Sequence, residues 1–345
     1  PACLMQRILT SPSALDLTSP GRRDYHVCFE HPSLWGQFLV PLTVWVGPEA
    51  LNGRGVLAIG GTHGNEYEGP VAIKHLLREL NQEAVRGRII LIPTLSVMSF
   101  RAGQRDAPED GVNMNRAFPG SATGSISYKI ADLVHRLLFP FVHVVIDIHS
   151  GGRVARFPLV SSFHEVADEA QHLAMEVAAR DFGAPVTMIY QNQTAGLLTS
   201  TSERLGKITI GTELGWGQAV NAEGVALARR GILSACIRQG QLHGELPTQA
   251  GVPANQQLLV DVSHPACAFL APYDGHFEPV RLCGETLKQG ELVAWLHDFD
   301  RLDEAPLPIQ APHDGVIVCL AWEARVFQGQ VLSLVGPIRP WRARY

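Results

Sequence analysis

Short apolar runs that break off at ionisable side chains constrain this chain more than any other feature. Residues 56–59 (Val-Leu-Ala-Ile) stop at Gly60-Gly61 and are followed at once by His63 and Glu66. Residues 142–148 lead directly into His149, and residues 207–212 into Glu213. A fourth run, 88–93, opens into a long polar loop over 100–120. The runs at 56–59, 88–93 and 142–148 are short and largely apolar and read as buried strands, and 207–212 (Lys-Ile-Thr-Ile-Gly-Thr) reads as a further strand. Between the first two strands, Ile73, Leu76, Leu77 and Leu80 recur at helical spacing behind Gly69-Pro70, where proline suits an early helical position. Further helices are predicted over 127–138, 166–182 and 222–239, and a further strand over 38–46. Strand alternating with helix implies an α/β domain with a largely parallel sheet flanked by helices. Such sheets bind ligands at the carboxyl ends of their strands. His63, Glu66, His149 and Glu213 all fall there.

Length adds a second body. The chain has 345 residues, more than one typical core holds. A polar, Pro/Gly-rich stretch over 240–253 suggests a boundary, giving an α/β domain at 1–245 and a β-rich domain at 246–345. In the second part Ala271-Pro272-Tyr273-Asp274-Gly275 recurs as Ala311-Pro312-His313-Asp314-Gly315, and each copy is followed by a Gln-Gly turn. Two similar halves without helical period predict a small all-β sandwich. It resembles biotinyl/lipoyl-type sandwiches, but between Trp295 and Ala311 there is no lysine to carry a cofactor. A structural role follows, narrowing the site entrance or supporting a homo-oligomer.

Composition removes several classes. A formal net charge of -5 does not suit a general nucleic-acid binder, since phosphate contacts need a basic face. The longest apolar run, 137–148, is interrupted by Pro140, His143 and Asp147 and falls short of the ~18 residues of a membrane span. Residues 1–20 lack the pattern of a signal peptide. Six scattered cysteines, Cys3 among them, form no Cys-x-x-Cys, which points to reduced thiols and a cytoplasmic protein.

The chemistry follows from placement. Catalytic zinc needs three protein ligands and an open position. His63 and Glu66 present two ligands from one tight turn, and His149 is the natural third. Glu213 is the candidate proton shuttle, able to act as general base on water and as acid toward a leaving amine. Asp147, two residues before His149 and so on the same strand face, is placed to orient it. The polar loop supplies Arg101, Arg105, Asn115 and Arg116, and arginine grips carboxylates through a fork of donors. Each residue alone has a plainer reading. A single His-x-x-Glu is usually a surface coincidence, His149 a satisfied core histidine, Glu213 a helix cap or lysine partner, Asp147 a structural hydrogen-bonder and Arg101 a solvated side chain. Tyr190 has only its residue type to recommend it as a proton donor. His297-Asp298-Phe299-Asp300 reads as a hairpin turn.

Taken together, His63-Gly64-Asn65-Glu66, Asn113-Met114-Asn115-Arg116, Asp147-Ile148-His149 and Thr212-Glu213-Leu214 resemble the succinylglutamate desuccinylase/aspartoacylase family of metallocarboxypeptidase-like zinc amidohydrolases. The resemblance spans roughly residues 30–245, with a β-rich C-terminal domain also seen in the family. It implies a zinc-carboxypeptidase-like mixed sheet and one Zn2+ per chain on His63, Glu66 and His149. It also implies Glu213 as general base, with Asn115, Arg116 and Arg105 holding the substrate carboxylate and scissile carbonyl. The implied partner is a small N-acyl amino acid. The longer stretches 64–70, 115–120 and 147–152 are most similar to those of the N-acetyl-diaminobutyrate deacetylases. Desuccinylase or aspartoacylase-type deacylation of another N-acyl amino acid, and carboxypeptidase action, are the neighbouring activities. A non-catalytic metal-binding protein is the remaining class, and Glu213 speaks against it.

Overall fold

The computed structural model describes residues 7–9, 11–30, 35–191, 193–248 and 250–343; Cys3 lies outside them. Among the described residues, eleven strands form one mixed sheet. They are β1 (Arg7–Leu9), β2 (Gly21–Glu30), β3 (Gln37–Val46), β4 (Gly55–Ile59), β5 (Arg88–Ile92) and β6 (Val142–Asp147), then, after a two-residue β7 (Ala155–Arg156) that lies elsewhere, β8 (Val160–His164), β9 (Val186–Tyr190), β10 (Ile208–Glu213) and β11 (Leu258–Asp261), and a last short strand. The order is β1-β2-β3-β5-β4-β6-β10-β8-β9-β11 and then that last strand. The central strands β5, β4, β6 and β10 are mutually parallel, so their carboxyl ends share one edge. Ile59, Asp147 and Gly211 are register partners on that edge.

The continuous apolarity of these strands has a direct cause. In β4, Leu57 and Ile59 face one core with Ile90, Ile92 and Val145. Val56 and Ala58 face the other, with Ile89, Leu91, Val144 and Ile146. Neither face meets water. The second face is covered by α1 (Glu68–Glu79), and further along the chain by α4 and α6; between them lie α2 (Val97–Ala102) and α3 (Ile126–Asp132), the latter covering the first face. Here α4 is Glu169–Phe182, α5 Leu198–Arg204 and α6 Ala222–Arg238. The start of α4 is later than the predicted 166, because the Asp168 side chain accepts the Gln171 N–H and caps the helix there. The helix predicted over 127–138 is α3 followed by a wider π-helical turn, Leu133–Leu138. β8 and β9 were not predicted. Two of their hydroxyls satisfy each other inside the sheet, where Ser161 and Thr187 bond at 2.8 Å.

The β-rich unit contains β12 (Ala268–Leu270), β13 (Gly275–Pro279), β14 (Thr286–Leu287), β15 (Leu292–His297), β16 (Leu307–Gln310), β17 (Gly315–Ala321), β18 (Arg325–Val326) and β19 (Val331–Gly336). They form two antiparallel sheets, β12-β19-β17-β14 and β16-β15-β13-β18, around Phe277, Val293, Leu296, Ile317 and Leu332. The sequence repeat is a structural exchange. Asp274 of the first copy accepts the Gln328 N–H of the second copy's turn at 2.7 Å, and Asp314 accepts the Gln289 N–H of the first at 2.9 Å. The Phe299 segment joins β15 to its antiparallel neighbour β16.

The division expected after residue 245 does not separate the two bodies. β11 pairs with β9 and β20 (Ile338–Arg339) with β11, so both belong to the large sheet. In the other direction β7 pairs with β17. The β-rich unit proper therefore spans 268–336 and is stitched to the α/β body at both ends. Among the described residues no helix is long and apolar enough to cross a membrane. Cys28, Cys236, Cys267, Cys283 and Cys319 are free thiols.

Candidate metal centre and active site

The turn after β4 brings its two polar residues inward because backbone crowds it from behind. A Cβ on Gly64 would overlap the Ser99 backbone, so only glycine lets the loop lie this close. His63 and Glu66 are both buried, as is His149 beyond the end of β6. One nitrogen or oxygen from each lies within 4.8 Å of the others. His63 Nδ1 stands 2.8 Å from Glu66 Oε1, and His149 Nδ1 stands 2.9 Å from Glu66 Oε2. The outer nitrogens are already claimed. His63 Nε2 is 3.1 Å from Asn113 Oδ1, and His149 Nε2 is 2.8 Å from Asp147 Oδ2. Those partners hold the outer nitrogens and turn both Nδ1 atoms onto one carboxylate. Lone pairs on both Nδ1 atoms and an anion repel each other unless a positive charge sits among them, either protons or a cation. The donor set fits a metal ion.

The electrostatics agree. Burial opposes charge on Glu66, but His63 and His149 prevail and hold its carboxyl well below the usual range. Burial likewise opposes protonation of His149, and the Asp147 and Glu66 carboxylates outweigh it, raising its pKa well above the ordinary imidazole value. The site is built to hold positive charge. Asp147 is itself fixed by the Thr62 hydroxyl, which donates to Oδ1 at 2.7 Å. The Ser150 N–H donates to Glu66 Oε2 at 3.1 Å, and the Thr212 hydroxyl accepts the His149 N–H at 3.0 Å.

Glu213 is the last residue of β10, at the same edge. Its Oε2 is buried with no hydrogen-bond partner among the described residues. Burial, helped by the Glu66 charge, pushes its carboxyl up to about 8, while His149 and Arg105 pull the other way. Arg105 donates from Nη1 to Glu66 Oε1 at 3.3 Å. Asn115 Nδ2 lies 3.2 Å from His149 Nε2, and its Oδ1 accepts the Leu198 N–H at 2.9 Å. Arg116 is exposed and donates to the Asn115 carbonyl at 2.7 Å. The structure thus gathers the sequence candidates at one edge. Arg101 is an exposed residue on the last turn of α2 and makes none of these bonds. Burial, and then the Glu213 charge, push the Tyr190 hydroxyl above its ordinary value, which places Tyr190 within electrostatic reach of Glu213.

Sequence reasoning passed over Thr62, Ser150 and Glu68. Glu68 is fully buried; it accepts the Ser150 hydroxyl and, at 2.8 Å, the Asn221 N–H, tying the His149 loop to the start of α6. A carboxylate at the start of a helix, two residues after a ligand candidate, was the available signal.

Comparison with known proteins decides the lineage. Residues 52–237 match the model of the succinylglutamate desuccinylase/aspartoacylase catalytic domain. The chain belongs to the succinylglutamate desuccinylase/aspartoacylase family. It is 35% identical over 308 residues to the N-alpha-acetyl-L-2,4-diaminobutyric acid deacetylase of Halomonas elongata, covering 89% of this chain and 88% of that protein. Among solved structures of this family, a succinylglutamate desuccinylase/aspartoacylase from Rhodobacter sphaeroides superposes with a TM-score of 0.87 at 31% identity, over 94% of this chain and 98% of that one. The product-bound ectoine utilization protein EutE (DoeB) from Ruegeria pomeroyi gives 0.85, also at 31% identity and with the same coverage. The mixed sheet with flanking helices and the added antiparallel sheets are the family's architecture in this chain.

Proposed function

We propose that the chain is a zinc-dependent amidohydrolase that removes the acyl group from an N-acyl amino acid, with N-α-acetyl-2,4-diaminobutyrate as the first candidate substrate. The carrying observation is the convergence of His63 Nδ1, His149 Nδ1 and the Glu66 carboxylate beside the half-buried Glu213, whose buried Oε2 has no partner among the described residues. Those three residues would hold the zinc. When bound at such a set, zinc supplies a polarised carbonyl and an acidified water. Glu213 then takes the proton of the attacking water and returns it to the departing amine nitrogen as the C–N bond breaks. Its raised proton affinity suits that alternation. Asp147 and Asn113 hold the two imidazoles in the tautomer that presents Nδ1. Arg105, Asn115 and Arg116 are assigned to the substrate carboxylate and the scissile carbonyl oxygen. The substrate class rests on the likeness to the diaminobutyric acid deacetylase. The five free thiols among the described residues suit a reducing compartment such as the cytoplasm.

The test combines metal analysis with acetate release. The purified protein should hold about one zinc per chain, as a three-ligand site does. It should cleave N-α-acetyl-L-2,4-diaminobutyrate faster than N-acetylaspartate, N-succinylglutamate or a dipeptide. Glu213→Gln should retain zinc and lose hydrolysis. A zinc-loaded protein that cleaves none of the N-acyl amino acids defeats the reading, and preference for the dipeptide would make it a carboxypeptidase.

A further inference from the structure

The β-rich unit has no lysine between Trp295 and Ala311, yet one of its residues reaches the edge that carries Glu213. Trp322 follows β17 and has no place in the core of its own unit, which is built from other side chains. It remains 44% exposed. Its ring packs on Gly217, four residues after Glu213: a Cβ there would stand 3.2 Å from the indole. It also lies beside Trp216, with ring centroids 6.4 Å apart. Arg156 covers Trp216 with its guanidinium carbon 4.8 Å from the ring centre.

The segment it touches needs holding. Gly217 and Gln218 both adopt left-handed backbone, with φ of 70° and 56°. For glutamine this conformation is sparsely populated and persists only where surroundings fix it. From one side the Gly217 and Gln218 N–H groups donate to Gly152 O, at 2.6 and 3.2 Å. From the other side stands Trp322. Trp322 is itself anchored to the His149 loop, since its N–H donates to Val154 O at 3.0 Å and the neighbouring Ala321 pairs with Ala155. Arg153 and Glu323 add an ion pair at 2.6 Å. The loop carrying His149, the loop carrying Glu213 and the β17–β18 turn are thus knitted into one piece.

We propose that Trp322 is a positioning residue: the β-rich unit uses it to hold the 213–218 segment, and so Glu213, against the metal-ligand cluster. The catalytic half of this statement rests on the amidohydrolase reading, whereas the holding of the loop does not. The experiment uses the full zinc-loaded chain with Trp322→Ala and Trp322→Phe. It measures deacetylation of N-α-acetyl-L-2,4-diaminobutyrate, zinc content, Tm and hydrogen exchange across 213–221. Loss of fixed geometry is expected to lower kcat of Trp322→Ala about tenfold or more, with KM changed less than about twofold. Zinc content should stay as in the parent, exchange at Gly217 and Gln218 should quicken, and Trp322→Phe should restore both kcat and protection. Parental kcat and exchange in Trp322→Ala overturn the proposal. So does a fall in Tm and kcat together that Trp322→Phe fails to rescue, which would mark a general packing role. If the parent itself cleaves no N-acyl amino acid, the functional reading fails, and the exchange data alone then decide whether Trp322 holds the loop.

Discussion

His149–Glu66 and His172–Glu176 are both buried imidazole–carboxylate contacts, at 2.9 and 3.1 Å, on the same α/β body. Residue type and burial do not tell them apart; the surrounding atoms do. Glu176 serves one ring, and its other oxygen accepts the Arg342 and Ala343 N–H groups at 2.8 and 2.7 Å. Everything around it is a donor from the chain itself, and the result is a joint that closes the C-terminal segment onto α4. Glu66 lies between two rings whose outer nitrogens are held by Asn113 and Asp147, so both Nδ1 atoms turn inward onto its oxygens. A nearby carboxylate, Glu213, keeps an oxygen with no partner among the described residues. Glu176 is spent on donors of its own chain and fastens the fold, although His172 Nδ1 keeps no hydrogen-bond partner among the described residues; two rings converging on one carboxylate, beside a second carboxylate with an unpartnered oxygen, make a place for a ligand.

The contrast is broken most severely at its ligands. His149→Ala should release zinc and abolish deacylation, because a site left with two protein ligands no longer meets the need of catalytic zinc for three. Metal content by atomic absorption beside acetate release checks this, and full zinc occupancy in the variant would remove His149 from the site. Next in size is Asp147→Asn, which keeps the shape but not the charge facing His149 Nε2. Outer partners of this kind change metal affinity or activity by roughly 10–100-fold when lost, and competition with a chelator would show it. An unchanged zinc affinity and rate would make Asp147 a structural hydrogen-bonder, the plainer reading of that residue.

The grouping of the candidate site was more legible in the sequence than the strand order around it, for physical reasons. The strands that lead to the candidate ligands are buried on both faces and end abruptly, so the run at 56–59 with its glycines, and the run before His149, advertise themselves. β8 and β9 hide because Ser161 and Thr187 satisfy each other's hydroxyls, a pairing across strands that leaves no local pattern. β11 and β20 are too short to signal at all, and their membership in the large sheet moved the expected boundary at residue 245. Tyr190 could not be placed from sequence because its neighbours, Glu213 and Cys319, come from distant strands. Trp322 was invisible for the same reason: its partner Gly217 is a hundred residues away in the chain and in another unit.

The joint should respond in the opposite way to the site. Glu176→Ala strands the buried His172 ring and the buried Ala343 N–H, and breaking a buried pair from one side costs about 3 kcal/mol. Urea unfolding of the zinc-loaded protein should record that loss, while kcat/KM below the transition stays at the parental value. A catalytic defect at unchanged stability would mean that the two His–Glu groups are coupled, and the comparison would have to be redrawn.

The last effect, spread over the widest pH range, concerns Glu213 in the metal-free protein. Burial and the Glu66 charge hold its carboxyl up to about 8, against an ordinary 4.5 in the unfolded chain. The folded chain therefore keeps a proton that the unfolded chain gives up between these values. The stability this contributes is complete below about pH 4.5 and is lost as pH rises through about 8. Glu213→Gln carries no such proton. The stability of the metal-free parent relative to that variant should therefore fall steadily across this window and level off above it. Parallel unfolding curves for the two proteins from acid to alkaline pH would show instead that Glu213 titrates as an ordinary carboxylate, and its distinction from the satisfied Glu176 would then rest on geometry alone.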